Sequence, residues 1–197
     1  MATLPMPAAV LAGGASMRMG RPKAALAYGS GTLLEFQTGR LAELFDEVFV
    51  VAKETPAFPI GPARVLLDRD PGHAAIHGLA RALEEARDRI FVLAVDVPAL
   101  PASLVRWIAE RSLGTDALAV VPRADGRLQP LAAVWRRGAL AEARRRIAAG
   151  EPSLQGLARA VGADVVEEPE WKAVDPSGNA FENLNTLEQY AAHRERA

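Results

Sequence analysis

Cysteine is absent from this 197-residue chain, which removes disulfides, thiolate nucleophiles and cysteine-ligated zinc together and is compatible with a reducing compartment. Histidine occurs only at 73, 77 and 193. No HExxH, GxSxG or zinc-ligand spacing is present. His73 and His77 lie four apart but have no third ligand in view, so they read as ordinary surface or groove residues. No apolar run approaches the ~20 residues that span a bilayer. No basic residue precedes Arg18, so the apolar start of the chain lacks the positive region of a signal peptide. A soluble, cytoplasmic protein with no membrane partner is expected. A net charge of −1 gives no reason to expect nucleic acid as a partner. No repeat is visible, and the length suits one domain spanning 1–197.

Lysine is also scarce. Of 23 basic residues only three are lysine, at 23, 53 and 172, so a lysine kept in an arginine-rich chain carries information. A compact ammonium fits between phosphate oxygens where a planar guanidinium does not, although codon bias with a chance survivor explains the same count. Lys23 closes the stretch AAVLAGGASMRMGRPK, Ala8 to Lys23. Its apolar start reads as a strand. The strand runs into a loop with Gly13, Gly14, Arg18, Arg21 and Lys23, suited to an anion because glycine lets backbone N–H groups turn toward it. Five residues separate Gly14 from Gly20 and no Ser or Thr follows Lys23, so this is not a Walker A loop. GxGxxG is missing as well. A glycine-rich surface turn with scattered basic residues remains the plain alternative.

Further along, Thr32 to Leu44 places Leu33, Leu34, Phe36, Gln37, Leu41 and Leu44 at helical spacing. Val48 to Val51 is an uninterrupted apolar run of the kind buried on both faces of a parallel sheet. Lys53 follows it, at the carboxyl end where open α/β sheets bind ligands. Arg64 to Leu67 is a short strand ending at Asp68, with Arg69 and Asp70 before a Pro-Gly turn. Ala74 to Ala86 reads as a helix and Ile90 to Val95 as a strand, ending in Asp96-Val97-Pro98. A carboxylate there suits a hard ion such as Mg²⁺, commonly held by one or two carboxylates with substrate phosphates. A turn-initiating Asp is the structural alternative. Pro101 to Ser112, Gly138 to Ala149 with Gly150 as cap, and a short segment from Ser153 read as helices. Ala117 to Val121, Leu131 to Trp135 and an edge segment Asp164 to Val166 read as strands. The three tryptophans are expected in the core and Arg144 to Arg146 on a solvated surface. Asn185 with Glu188 makes a capping box, which leaves Asn183 unexplained. The alternation predicts an α/β protein, a doubly wound, mostly parallel sheet with helices on both faces.

With the first loop, the Asp96-Val97-Pro98 turn and Asn183-Leu184-Asn185-Thr186 in hand, the sequence resembles the molybdenum cofactor guanylyltransferases. That family's LAGGxSxRMGxxK is matched without a break from Leu11 to Lys23, its aspartate after the third strand by Asp68, its DxP by Asp96 and Pro98, and its NxNT by Asn183, Asn185 and Thr186. The likeness covers nearly the whole chain.

The resemblance implies a Rossmann-like nucleotidyltransferase fold that joins GMP from GTP to the terminal phosphate of molybdopterin, with Mg²⁺. Leu11, Ala12, Gly13 and Gly14 would present backbone to the nucleotide, with Lys53 beside it. Lys23 and Arg18 would hold phosphates, Asp68 the nucleoside and Asp96 the metal. Asn183 and Asn185 would face the pterin. Transient hand-over contacts with other cofactor-biosynthesis proteins are compatible with it. Two departures stand out. Ala74 to Gly78 replaces the family's GPLxG, which bears on the acceptor side, and Leu187 stands where proline is common. A related transferase using CTP or a sugar phosphate acceptor, and a catalytically silent nucleotide- or pterin-binding scaffold, remain the competing readings.

Overall fold

The structure is a computed structural model that describes residues 3–13 and 22–182. Its ten strands and six helices are β1 (Leu4–Leu11), β2 (Ala27–Tyr28), β3 (Gly31–Thr32), α1 (Leu33–Ala42), β4 (Phe45–Ala52), β5 (Arg64–Leu67), α2 (Ala75–Glu85), β6 (Arg89–Ala94), α3 (Ala102–Leu113), β7 (Ala119–Ala124), β8 (Arg127–Leu128), β9 (Ala132–Arg136), α4 (Leu140–Ala148), α5 (Leu154–Ala160), β10 (Asp164–Val166) and α6 (Glu168–Lys172). The main sheet runs β10-β7-β9-β6-β1-β4-β5, and β8 pairs with β7. All neighbours along it are parallel except β9, which is antiparallel to both β6 and β7.

The apolar runs sit where both faces of the sheet are covered. Ala8 and Val10 point into one core with Leu34 and Leu41 of α1 and Leu104 and Ile108 of α3. Ala9 and Leu11 point into the other, with Ile76, Leu79 and Leu83 of α2 and Ala143 and Leu157 of α4 and α5. A strand that alternates between two apolar layers shows no polar face, which is why such segments read as continuous hydrophobic runs. Phe91 is wholly buried and its ring stacks on Phe45 at 5.4 Å. Phe91→Ala should therefore cost about 3–5 kcal/mol, seen as a lower urea midpoint at unchanged m-value.

Several elements depart from the sequence reading. β1 begins at Leu4 rather than Ala8, passing through Pro5 and Pro7. The prolines are tolerated because β6 joins only from Ala8, so the first half of β1 has a single partner. β9 enters the sheet antiparallel because Asp125 (φ 49°) and Gly126 (φ 70°) reverse the chain between Ala124 and Arg127. This is the two-residue Asp-Gly hairpin signal. The β2–β3 hairpin and α6 were not anticipated. Trp135 and Trp171 are core residues as expected, whereas Trp107 is only half-buried, with the Arg111 guanidinium 5.8 Å from its ring. Arg144 and Arg145 are solvated and paired with Glu84 and Glu142. Arg146 instead lies largely covered between Glu142 and Glu151. Gly150 adopts the left-handed cap, and Ser153 caps α5 through the Gly156 N–H.

The topology selects one edge of the sheet. From β1 the chain crosses by α1 to β4 and on to β5, then returns by α2 to β6 on the opposite side of β1. The order therefore reverses between β1 and β6. A crevice opens outside the carboxyl ends of strands at such a switch point.

Candidate active site

Four adjacent strands, β6-β1-β4-β5, bring Asp96, the Leu11-Ala12-Gly13 segment, Lys53 and Asp68 to the same sheet edge. At the usual strand spacing this row is about 14 Å long. The end of β1 is tied on both sides. The Ala12 N–H donates to the Val51 carbonyl (3.0 Å), and the Leu11 carbonyl accepts from the Val95 N–H (3.3 Å). The Leu11 side chain faces Gly78, where any Cβ would stand 3.5 Å from Leu11 Cδ1. Gly13 is exposed beyond it.

Lys23 opens a single 3-10 turn, Lys23–Ala25, after Pro22. Its Nζ stands 3.0 Å from Asp96 Oδ2, with side-chain exposures of 17% and 27%. Asp96 follows β6 in a turn closed by Val97 N–H to the Ala94 carbonyl. On the α1 side, the Val95 carbonyl accepts from Gln37 Nε2 and the Pro98 carbonyl from Arg40 Nη1. Helical spacing alone puts Gln37 on an apolar face and assigns it no role. A polar residue among buried leucines was the available signal.

A second lysine–carboxylate pair lies at the β4–β5 end. Lys53 Nζ is 2.8 Å from Asp68 Oδ2 and donates to the Asp70 carbonyl. Asp68 is buried, its other oxygen accepting from the Asp70 N–H. The Gly72 N–H, with the His77 imidazole and Lys53, holds the Asp70 carboxyl below its usual range. His77 is a groove residue, as one of the two expected placements had it: Nδ1 lies 2.8 Å from Asp70 Oδ1, off the angle of a good hydrogen bond, and its side chain is only 11% exposed.

Two cavities flank the row. One of about 310 Å³ is lined by Asp96, Gln129, Pro130, Leu131 and Leu154. The other, of about 650 Å³, runs beside β5 between α2 and α4 and includes Asp68 and Asp70. Among the described residues no group of three or more His, Asp or Glu side chains gathers to hold an ion. A lone carboxylate such as Asp96 is of the kind that holds Mg²⁺ together with substrate phosphates and water. Gly14, Arg18, Asn183 and Asn185 lie outside the described residues.

The family described as MobA-like NTP transferase domain matches residues 8–171. A Chloroflexus aggregans protein named probable molybdenum cofactor guanylyltransferase is 36% identical over 184 residues, covering 90% of this chain and 88% of that protein. The structure is similar to molybdopterin-guanine dinucleotide biosynthesis protein A from Archaeoglobus fulgidus, with TM-score 0.82, 20% identity and coverage of 97% and 98% of the two chains. It is also similar to 2-C-methyl-D-erythritol 4-phosphate cytidylyltransferase from Thermus thermophilus, with TM-score 0.70, 20% identity and coverage of 98% of each chain. At those identities the two structures speak for the fold alone.

Proposed function

The chain belongs to the MobA-like NTP transferase family and is a nucleotidyltransferase, and from that premise we propose that it transfers GMP from GTP to the terminal phosphate of molybdopterin, releasing pyrophosphate. The observation that carries the reading is the Lys23–Asp96 pair at the β1–β6 switch point. It sets a phosphate-sized cation against a metal-competent carboxylate where a bound nucleotide is expected.

A terminal phosphate oxygen of the acceptor attacks the α-phosphorus in line. The new O–P bond forms as the bond to the bridging oxygen of the leaving pyrophosphate breaks. A phosphate monoester is already largely ionised at neutral pH, so neither a protein nucleophile nor a dedicated base is required. What the chain supplies is position and charge. Phosphate oxygens compete with Asp96 for the Lys23 ammonium, so nucleotide binding leaves the Asp96 carboxylate open to a hard cation. Mg²⁺ held there would polarise the phosphoryl oxygens. Asp68 keeps acceptor capacity beyond its bonds to Lys53 and Asp70, since an ionised carboxylate offers about four lone-pair sites. That capacity suits nucleoside hydroxyls.

GTP with Mg²⁺ should raise the melting temperature more than CTP, ATP or UTP does. At a hundredfold excess over Kd the stabilisation is about 2.7 kcal/mol, several degrees for a domain of this size. An equal shift with CTP would favour the cytidylyl alternative. Pyrophosphate release on adding molybdopterin separates an enzyme acting on this acceptor from a silent scaffold, and failure with every nucleotide would sink the assigned reaction.

A further inference from the structure

Helix α1 carries two polar side chains, three residues apart, into the space beneath the Asp96 turn. Gln37 is wholly buried. Its Nε2 donates to the Val95 carbonyl at 3.1 Å, and its Oε1 is buried with no hydrogen-bond partner. Arg40 donates from Nη1 to the Pro98 carbonyl at 2.9 Å, while its Nε and Nη2 are buried and unpartnered. Among the described residues no carboxylate pairs with Arg40. Its guanidinium stands 5.4 Å from the Phe36 ring. Burial lowers its pKa to about 10, opposed by the neighbouring Tyr28.

As core chemistry this is poor. A buried amide satisfied on one side, and a largely covered cation with no carboxylate partner among the described residues, both carry a desolvation cost, offset in part by their hydrogen bonds to the Val95 and Pro98 carbonyls. Features that a fold retains against its own stability concentrate where function requires them. What the two side chains hold in common is specific: the carbonyls they bind belong to Val95 and Pro98, which bracket Asp96 and Val97. Residues at i and i+3 share one helix face, so a single helix grips both ends of one short turn. The sheet holds the same turn from the other side, through Val95 N–H to Leu11 and Val97 N–H to Ala94.

We propose that Gln37 and Arg40 are positioning residues that lock the Asp96 turn, fixing the carboxylate in the orientation in which it meets Lys23 and a nucleotide-bound divalent ion. The inference rests on the reading of Asp96 as the metal-holding carboxylate. Each residue acts through a main-chain carbonyl, so its loss lets the carboxylate wander without changing the site's composition.

The test uses Gln37→Leu and Arg40→Met, which fill similar space and remove the donors, with Gln37→Met and Arg40→Leu alongside in case either fails to fold. Mn²⁺ is the probe, its free concentration followed by electron paramagnetic resonance in the presence of GTP, beside melting temperature and steady-state kinetics. The expected result is a folded protein with a modestly lower melting temperature, Mn²⁺ affinity in the GTP complex lower by about tenfold or more, and kcat lower by a similar factor with little change in the KM for GTP. Arg40→Lys, which keeps the charge and one donor to Pro98, is expected to recover most of the loss. Donor-less variants at Gln37 and Arg40 that bind Mn²⁺ and turn over like the parent overturn the proposal, and so does a parent that binds no Mn²⁺ with any nucleoside triphosphate. A parent that holds Mn²⁺ with GTP but transfers nothing to molybdopterin fails the reading of function instead, and the Mn²⁺ comparison still decides this one.

Discussion

An Asp96→Asn enzyme is expected to fold and melt much like its parent and to turn over more slowly by roughly a thousandfold, since a single electrostatic contact to transition-state charge costs about 10²–10³ when removed. The carboxamide keeps the shape of the side chain but not the charge that a hard divalent ion requires. Fold stability should survive because the lost ion pair is partly open to solvent, with side-chain exposures of 17% and 27%. Such pairs are worth about 1 kcal/mol or less. The turn itself is held by the Val95 and Val97 N–H groups, which donate to the Leu11 and Ala94 carbonyls, and by Gln37 and Arg40, which donate to the Val95 and Pro98 carbonyls, and the substitution touches none of these. Pyrophosphate release with saturating GTP and Mg²⁺, read beside a thermal melt, checks both halves. Near-parental turnover would remove Asp96 from the site.

Lys23→Arg should lower turnover by about a hundredfold, which corresponds to the loss of ~3 kcal/mol of transition-state stabilisation, although the charge is unchanged. The Lys23 ammonium is largely covered and stands 3.0 Å from Asp96 Oδ2 at the mouth of the β1–β6 crevice. A point charge with three rotatable donors can leave the carboxylate for phosphate oxygens within that space. A guanidinium is larger, planar and fixed in its fork, and it prefers to keep a bidentate grip on a carboxylate. It should therefore hold Asp96 rather than release it. The control is Arg21→Lys, at a variable position of the loop motif, where little change is expected. Parental activity in Lys23→Arg would make the lysine a survivor of codon bias, and the argument from its rarity would fail.

Much of the fold is written in local patterns. The burial of Val48 to Val51 and Ile90 to Leu93 on both faces follows from uninterrupted apolar runs, and the start of α1 from Thr32 and Glu35, which form a reciprocal capping box. The place of Asp96, just past a buried strand and before a proline, was legible for the same reason. Other features left a signal that pattern reading passed over. The Asp125-Gly126 pair announces the hairpin that turns β9 antiparallel, and Gln37 is a polar residue on an otherwise apolar face. His77 carried no signal at all, because its neighbour Asp70 is brought to it by the turn at Pro71-Gly72.

By itself the sequence determined the alternation of strands and helices, the glycine-rich stretch after β1 that closes on Lys23, and the presence of Lys53, Asp68 and Asp96 beside strand ends. These depend on periodicity, caps and turn residues, which act over a few positions of chain. Only the tertiary structure decided which of those residues meet. Lys23 pairs with Asp96 across 73 residues, Gln37 and Arg40 each reach 58 residues ahead to the carbonyls beside that carboxylate, and Lys53 turns to Asp68 on the neighbouring strand end. Strand order and crossover direction set these pairings. Both arise from packing two apolar faces of one sheet against helices, and residue spacing along the chain does not encode which strand becomes the neighbour of which.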